Sequence, residues 1–197
     1  MKARQQSVGS EFEPIPVGVY PVVCTSLVDL GLQAPFNPTF KTVYKVALGF
    51  DFPTETREDG SPEKLTMILT NSMHKKGNLR KMIEGWFGKS FPSDDAANNF
   101  ELKELLGKVG YANVTHNTRG EKTYANISSL IPLPKGMAAP TTDTPFLYYS
   151  EAGDQPPAER SQAYAALPEW LRTKVDNQVR AESEDAGDDD VDGDIPF

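Results

Sequence analysis

The chain has 197 residues, with 28 Asp or Glu, 20 Lys or Arg, two His and one Cys, for a net charge of −8. The charge is uneven: residues 1 to 136 carry 16 basic and 14 acidic side chains, a net of +2, whereas residues 137 to 197 carry 4 and 14, a net of −10, so the overall acidity belongs to one end and does not exclude an anionic ligand. A single cysteine excludes an internal disulfide framework and a multi-cysteine metal site; no apolar run nears the ~18 residues of a membrane span, and MKARQQSVGSEFEP lacks the apolar core of a signal peptide, which predicts a cytosolic-type protein.

From Val17 the chain reads VGVYPVVCTSLVDLGL, rich in β-branched and aromatic residues, a strand predicted to stop at Gly31. After the proline-containing loop QAPFNPT, the run FKTVYKVALGF alternates, with Phe40, Tyr44, Val46, Leu48 and Phe50 on one face and Lys41, Val43, Lys45 and Ala47 on the other. TETREDGSPE is turn chemistry, and Leu65 to Thr70 is a third, short strand. At Asn71 the period changes: Leu79, Met82, Ile83, Trp86 and Phe87 fall at helical spacing, Asn71 or Ser72 can cap the start, and Gly88 supplies the stop. FPSDD opens a second helical stretch ending in FELKELLGK. Val109 to His116 and Lys122 to Ile131 then flank a hairpin loop containing Gly120.

The order strand, strand, strand, helix, strand, strand predicts a mainly β fold, a five-stranded OB-fold barrel with a helix between strands 3 and 4, in a domain spanning residues 12–136 after a flexible N-terminus at 1–11. Residues 137–180 read as a linker with a short helix near Trp170, preceded by an aromatic stretch, TTDTPFLYYS, able to dock on the body. Residues 181–197 hold eight acidic and no basic side chains and read as a disordered tail.

That tail ends in Asp194, Ile195, Pro196 and Phe197, after an acidic run that includes Asp189, Asp190 and Asp192. A purely solvating tail has no use for three consecutive apolar residues at its end. Ile-Pro-Phe with a carboxylate is a compact ligand for a small apolar pocket with a basic rim, and the upstream aspartates steer it toward basic surfaces. The tail resembles that of bacterial single-stranded DNA-binding proteins, which end in an acidic run followed by Asp-Ile-Pro-Phe. The body is similar instead to tailed-phage proteins taken to be OB-fold single-stranded DNA-binding proteins, through VGVYPVVCTSLVDLGLQ, LTNSMHKKGNLRKMIEGWFGKSF, FELKELLGKVGYANVTHN and KTYANISSLIPLPKG, which together span roughly residues 17 to 136. The two resemblances imply a protein that coats single-stranded DNA in the host cell during replication, recombination and repair. They also imply that the tail recruits host or phage enzymes and competes with DNA for the binding groove.

A sequence-tolerant single-strand binder needs cations along the phosphates and exposed aromatics under the bases. Candidates on the second strand are Lys41, Tyr44 and Lys45, with Tyr44 and Phe40 either stacking bases or filling the core. Lys75, Lys76 and Arg80 form a basic cluster at the start of the helix, either contacting phosphate or simply solvated. In the last hairpin Tyr111 and Tyr124 alternate with small residues, either holding bases or filling the core, and Arg119 and Lys122 sit at or beside the tip. Gly88-Lys89-Ser90 is not a phosphate-binding loop, because Ile83 stands where its first glycine belongs, and Asp188, Asp190 and Asp192 start a calcium-loop pattern that the chain does not complete. His74 and His116 lie in separate elements, and Cys24 sits on an apolar strand. The expectation is a binding protein without a catalytic centre, metal or cofactor. The rival is an OB-fold adaptor that displays the tail peptide without holding DNA tightly.

Overall fold

A computed structural model of the chain describes residues 13–35 and 37–179. The strands are β1 (Gly18–Gln33), β2 (Val43–Thr56), β3 (Pro62–Thr70), β4 (Val109–Arg119), β5 (Lys122–Ile131) and β6 (Leu147–Tyr149). The helices are α1 (Asn78–Phe87), α2 (Asp94–Asn98), α3 (Pro157–Ala166) and α4 (Glu169–Asp176), with a 3-10 turn at Leu102–Leu105. The fold is mainly β, a six-stranded sheet in the order β3-β2-β1-β4-β5 with antiparallel neighbours, and β6 added in parallel to β1. β1 is long enough to serve two partners: its first half pairs with β4 (Gly18 opposite Val114) and its second with β2 (Leu32 opposite Tyr44).

The two ends of this path, β3 and β5, come against each other, but no ladder joins them, so the sheet is not closed into the five-stranded barrel that the element order predicts. Helix α1 packs on both β3 and β5. Its stripe of Leu79, Met82, Ile83 and Trp86 is buried with Val22, Leu48, Phe50, Ala112 and Val114 from the sheet. The Trp86 indole N–H donates to the Val109 carbonyl at 2.9 Å. Gly110 makes that approach possible, since a Cβ there would collide with Trp86 Nε1 and lie 2.7 Å from the Ile131 carbonyl oxygen.

Strands β3 and β4 run a few residues beyond the predicted Leu65 start and His116 end, and three further boundaries differ for a visible reason. Helix α1 starts at Asn78, with Gly77 at its N-cap. In the preceding turn the Ser72 hydroxyl accepts from His74 N–H, His74 Nδ1 accepts from Lys76 N–H, and Gly77 N–H donates to the His74 carbonyl. Those local bonds hold the backbone out of the helix. Gly31 does not end β1: its positive φ of 65° sits at a register shift between Asp29 and Leu32, a bulge after which pairing resumes. The turn chemistry read from Thr54 onward begins later, because β2 continues to Thr56.

Residues 137–179 are more than a linker with one helix. β6 pairs with β1, and Tyr149, Ala163, Leu167, Leu171 and Val175 form a second apolar cluster over Val28, Leu30 and Ala47. The segment leading to β6 is pinned by the fully buried Asp51, whose carboxylate accepts from Thr25 Oγ1 (2.9 Å) and Thr142 Oγ1 (2.7 Å) and lies 3.5 Å from Lys64 Nζ. Those partners are what make a buried carboxylate tolerable.

Candidate nucleic-acid interface

The candidate residues fall into two groups at opposite ends of β1. The first surrounds the start of β2. Tyr44 shares a strand face with Val46 and Leu48 but lies beyond the core and is 58% exposed, and Phe40 is exposed too. Lys41 is exposed and Lys45, opposite Thr70 on β3, is half-buried. The Asn71 N–H donates to the Tyr44 carbonyl at 2.7 Å, which ties the turn carrying Lys75 and Lys76 to this strand end. Lys75 and Lys76 are exposed, although Lys75 Nζ lies 3.3 Å from an Asp94 carboxylate oxygen.

Arg80 does not belong to this surface. It is 5% exposed and its guanidinium donates to Asp94 Oδ1 (2.7 Å), Glu84 Oε1 (3.1 Å) and the Met73 carbonyl (3.3 Å), with the Phe91 ring beside it. The hydrogen bonds to Asp94 and then Glu84 raise its pKa further. In return, Arg80 and then Lys75 hold the Asp94 carboxyl below the usual range, and the Phe91 N–H and then Arg80 do the same for Glu84. Its Nε and Nη1 bond to two acids and to the Met73 carbonyl and pin the 91–94 loop to α1, so the structure places Arg80 as a buried clamp where the sequence reading expects a phosphate contact.

The second group is the β4–β5 hairpin. Ala112 and Val114 face the core, which leaves Tyr111, Asn113, Thr115, Asn117 and Arg119 on the opposite face of β4. Register places Tyr124 opposite Asn117 and Lys122 opposite Arg119. Arg119 and Lys122 are exposed, Tyr124 is 48% exposed and Tyr111 is half-buried on the outer face. His116, on the inner side, has Nε2 2.8 Å from the Ile15 carbonyl oxygen, so it ties the start of the chain to β4.

At their nearest, Tyr111 lies opposite Pro21 and Tyr44 opposite Leu32, so the two groups are about 35 Å apart along β1. Outward residues absent from the sequence prediction complete the hairpin face: Val17, Val19, Asn113, Asn126 and Ile131. The alternation Val17-Gly18-Val19-Tyr20 carries the signal for the two valines, because Tyr20 packs against the core and its neighbours must face away. The predicted partner-binding residues Asp189, Asp190, Asp192, Asp194, Ile195, Pro196 and Phe197 lie outside the described residues.

Among the described residues, no group of three or more His, Cys, Asp and Glu is placed to hold a metal ion, and no helix is long and apolar enough to cross a membrane. Cys24 is fully buried, which pushes its thiol pKa up to about 12, so it is not a ready nucleophile. Compared with known proteins, the sequence matches no family model and no curated relative.

Proposed function

We propose that this protein binds single-stranded DNA without sequence preference, in the manner of tailed-phage single-stranded DNA-binding proteins. It coats the strand during replication, recombination and repair in a bacterial host and recruits partner enzymes through its Asp-Ile-Pro-Phe end. The observation that carries this reading is a pair of exposed aromatic-and-basic surfaces, one at each end of β1. The sheet order supports it: β3-β2-β1-β4-β5, with α1 between β3 and β4 and the path's ends meeting at a seam, is the strand order of an OB-fold barrel left open at its last pairing. Lys41, Lys45 and Lys76 meet phosphates, and Tyr44 offers a ring beside them.

The geometry also supports competition between tail and DNA. Val179 N–H donates to the Leu32 carbonyl at 2.7 Å, and Leu32 lies opposite Tyr44. The chain therefore leaves the described fold beside the Lys41–Lys45 surface, and eight acidic residues follow in 181–197. Short tethering gives those carboxylates a high effective concentration at the lysines.

The test is fluorescence anisotropy of a labelled ~30-nucleotide single strand, duplex and RNA at two salt concentrations, with the full chain and a chain ending at Arg180. Binding should favour the single strand, fall with salt at ~−0.7 per phosphate neutralised, and tighten on truncation, most at low salt. One observation favours the adaptor reading: Arg80 and Lys75 spend their charge on Asp94 and Glu84. Absence of single-strand binding by both chains would select it.

A further inference from the structure

Helix α1 runs between the two candidate surfaces. The turn that leads into it is tied to the β2 end by the bond from Asn71 N–H to the Tyr44 carbonyl. At its other end the left-handed residue Gly88 (φ 65°) packs on Pro132, where a Cβ would lie 3.1 Å from Pro132 Cγ. Pro132 directly follows Ile131, which pairs with Tyr111 at the root of the hairpin. The ten residues of α1 therefore add about 15 Å to a route from the first surface to the root of the second, along the seam where β3 and β5 meet without a ladder.

The solvent side of this route is cationic and carries no apolar side chain. The exposed positions of α1 are Asn78, Lys81 and Gly85. Lys89 is exposed just beyond the helix, its N–H fixed on the Glu84 carbonyl at 3.1 Å, and Lys135 is exposed in a turn closed by Met137 N–H on the Pro134 carbonyl at 3.2 Å. None of the three lysines is ion-paired with a described residue, while Glu84 of the same helix and Asp94 beyond it are held by Arg80, Lys75 and the Phe91 N–H. A solvated helix face accounts for the lysines but not for Gly85. That residue lacks the positive φ that calls for glycine, and a Cβ there would meet only the Leu130 carbonyl oxygen, at an ordinary 3.4 Å. Alanine would fit and would favour the helix, so packing does not explain the glycine. A ligand backbone passing close over the helix does.

We propose that the outer side of α1 is a phosphate track. Lys81, Lys89 and Lys135 hold one nucleic-acid backbone, which crosses the helix closely over Gly85 and passes from the Lys41–Lys45 surface to the root of the β4–β5 hairpin. This rests on the single-strand-binding reading and adds a connecting surface to it. Arg80 serves the track as a positioning residue, because by holding Glu84 and Asp94 it keeps the route positive.

The experiment measures binding of an oligo-dT strand of ~30 nucleotides across a salt series, with the full chain and a chain ending at Arg180. The variants are Lys81→Gln/Lys89→Gln, Gly85→Ala and a control, Arg160→Gln/Arg172→Gln, that takes two charges from the covering helices α3 and α4; circular dichroism melts check folding. The double lysine variant should melt normally and lower the salt slope by ~1.4, which is ~0.7 for each of two phosphates, in both chain lengths. The control should leave the slope unchanged. Gly85→Ala should raise the melting temperature by ~2 °C, as a better helix former does, yet bind oligo-dT several-fold more weakly. A double lysine variant whose slope matches the control, or a stabilised Gly85→Ala chain with full affinity, overturns the track and leaves the DNA-binding reading standing. So does a slope change that is present in the full chain and vanishes in the chain ending at Arg180, which would assign the lysines to the acidic tail. No binding of oligo-dT by either chain overturns both.

Discussion

The two halves of β1 present the same kind of residue to opposite fates. Val28 and Leu30 in its second half, with Ala47 of β2, are buried under Tyr149, Leu167, Leu171 and Val175. Val17 and Val19, before and within its first half, stand in solvent, as does Ile131 of β5. Hydrophobicity alone does not decide which valine is covered. The covered half has polar anchor points at its end: Gln33 Nε2 donates to the Lys174 carbonyl at 2.9 Å, and the Leu32 carbonyl accepts from Val179. The bare half is spaced with Asn113, Thr115, Asn126 and Ser129, whose side chains keep the face solvated. One half is built to be closed by the chain itself and the other to stay available.

Truncation on the two halves should therefore differ most. Leu171→Ala removes a 3% exposed side chain from the covering layer and should cost about 2–5 kcal/mol, with the spread set by how far α4 can settle into the gap. Val19→Ala should change stability by no more than about 0.5 kcal/mol, as for ordinary surface sites. Urea titrations of both variants measure the contrast. Similar midpoints would mean that the C-terminal layer rests loosely on the sheet. The next effect in size is at Arg80: Arg80→Ala removes the bridge between Asp94 and Glu84, leaving them Lys75 and the Phe91 N–H, and should lower the melting temperature clearly, whereas Lys76→Ala should leave it unchanged and reduce the salt slope of DNA binding by ~0.7. An Arg80→Ala protein that melts normally but loses DNA would return Arg80 to the binding surface.

The contrast between the halves was only partly legible in the sequence. Period-two alternation found β2 and the Leu79–Trp86 stripe found α1, because each pattern reports burial directly, while β4 and β5 were legible from the glycine-containing turn between them. The start of α1 was hidden by side-chain bonds of Ser72 and His74 that no propensity encodes. Arg80 read as a surface cation because its deciding partner, Asp94, stands fourteen residues away beyond the helix. The covering layer did leave a trace, since Ala163, Leu167, Leu171 and Val175 recur every fourth residue. Two proline-interrupted short helices are weak evidence when read alone, and nothing local shows that Val28 and Leu30 are what they cover. The hairpin tyrosines were recognisable as candidates. Their distance from the β2 lysines was not, because it depends on β1 pairing with β4 along one half and β2 along the other.

The smallest predicted effect lies under the covered half and separates its apolar packing from its electrostatics. Asp29 accepts from Gly31 N–H at 2.9 Å. Burial above all, and then the charges of Glu151 and Asp154, outweigh that bond and raise its carboxyl pKa above the ordinary value of 3.8. A carboxyl group with a raised folded pKa takes up its proton more readily in the folded chain than in the unfolded one. Its ionisation therefore costs stability at neutral pH, and that cost is relieved as pH falls through the folded pKa toward 3.8. Asp29→Asn keeps an acceptor for Gly31 and removes the charge, so it should be modestly more stable than the native chain at pH 7, with the advantage shrinking to nothing by about pH 3.5. Urea midpoints at pH 7, 5 and 3.5 read this out. A variant less stable at pH 7 would show that the charged bond to Gly31 outweighs burial, and the closure of this half would then depend on that bulge as much as on the leucines above it.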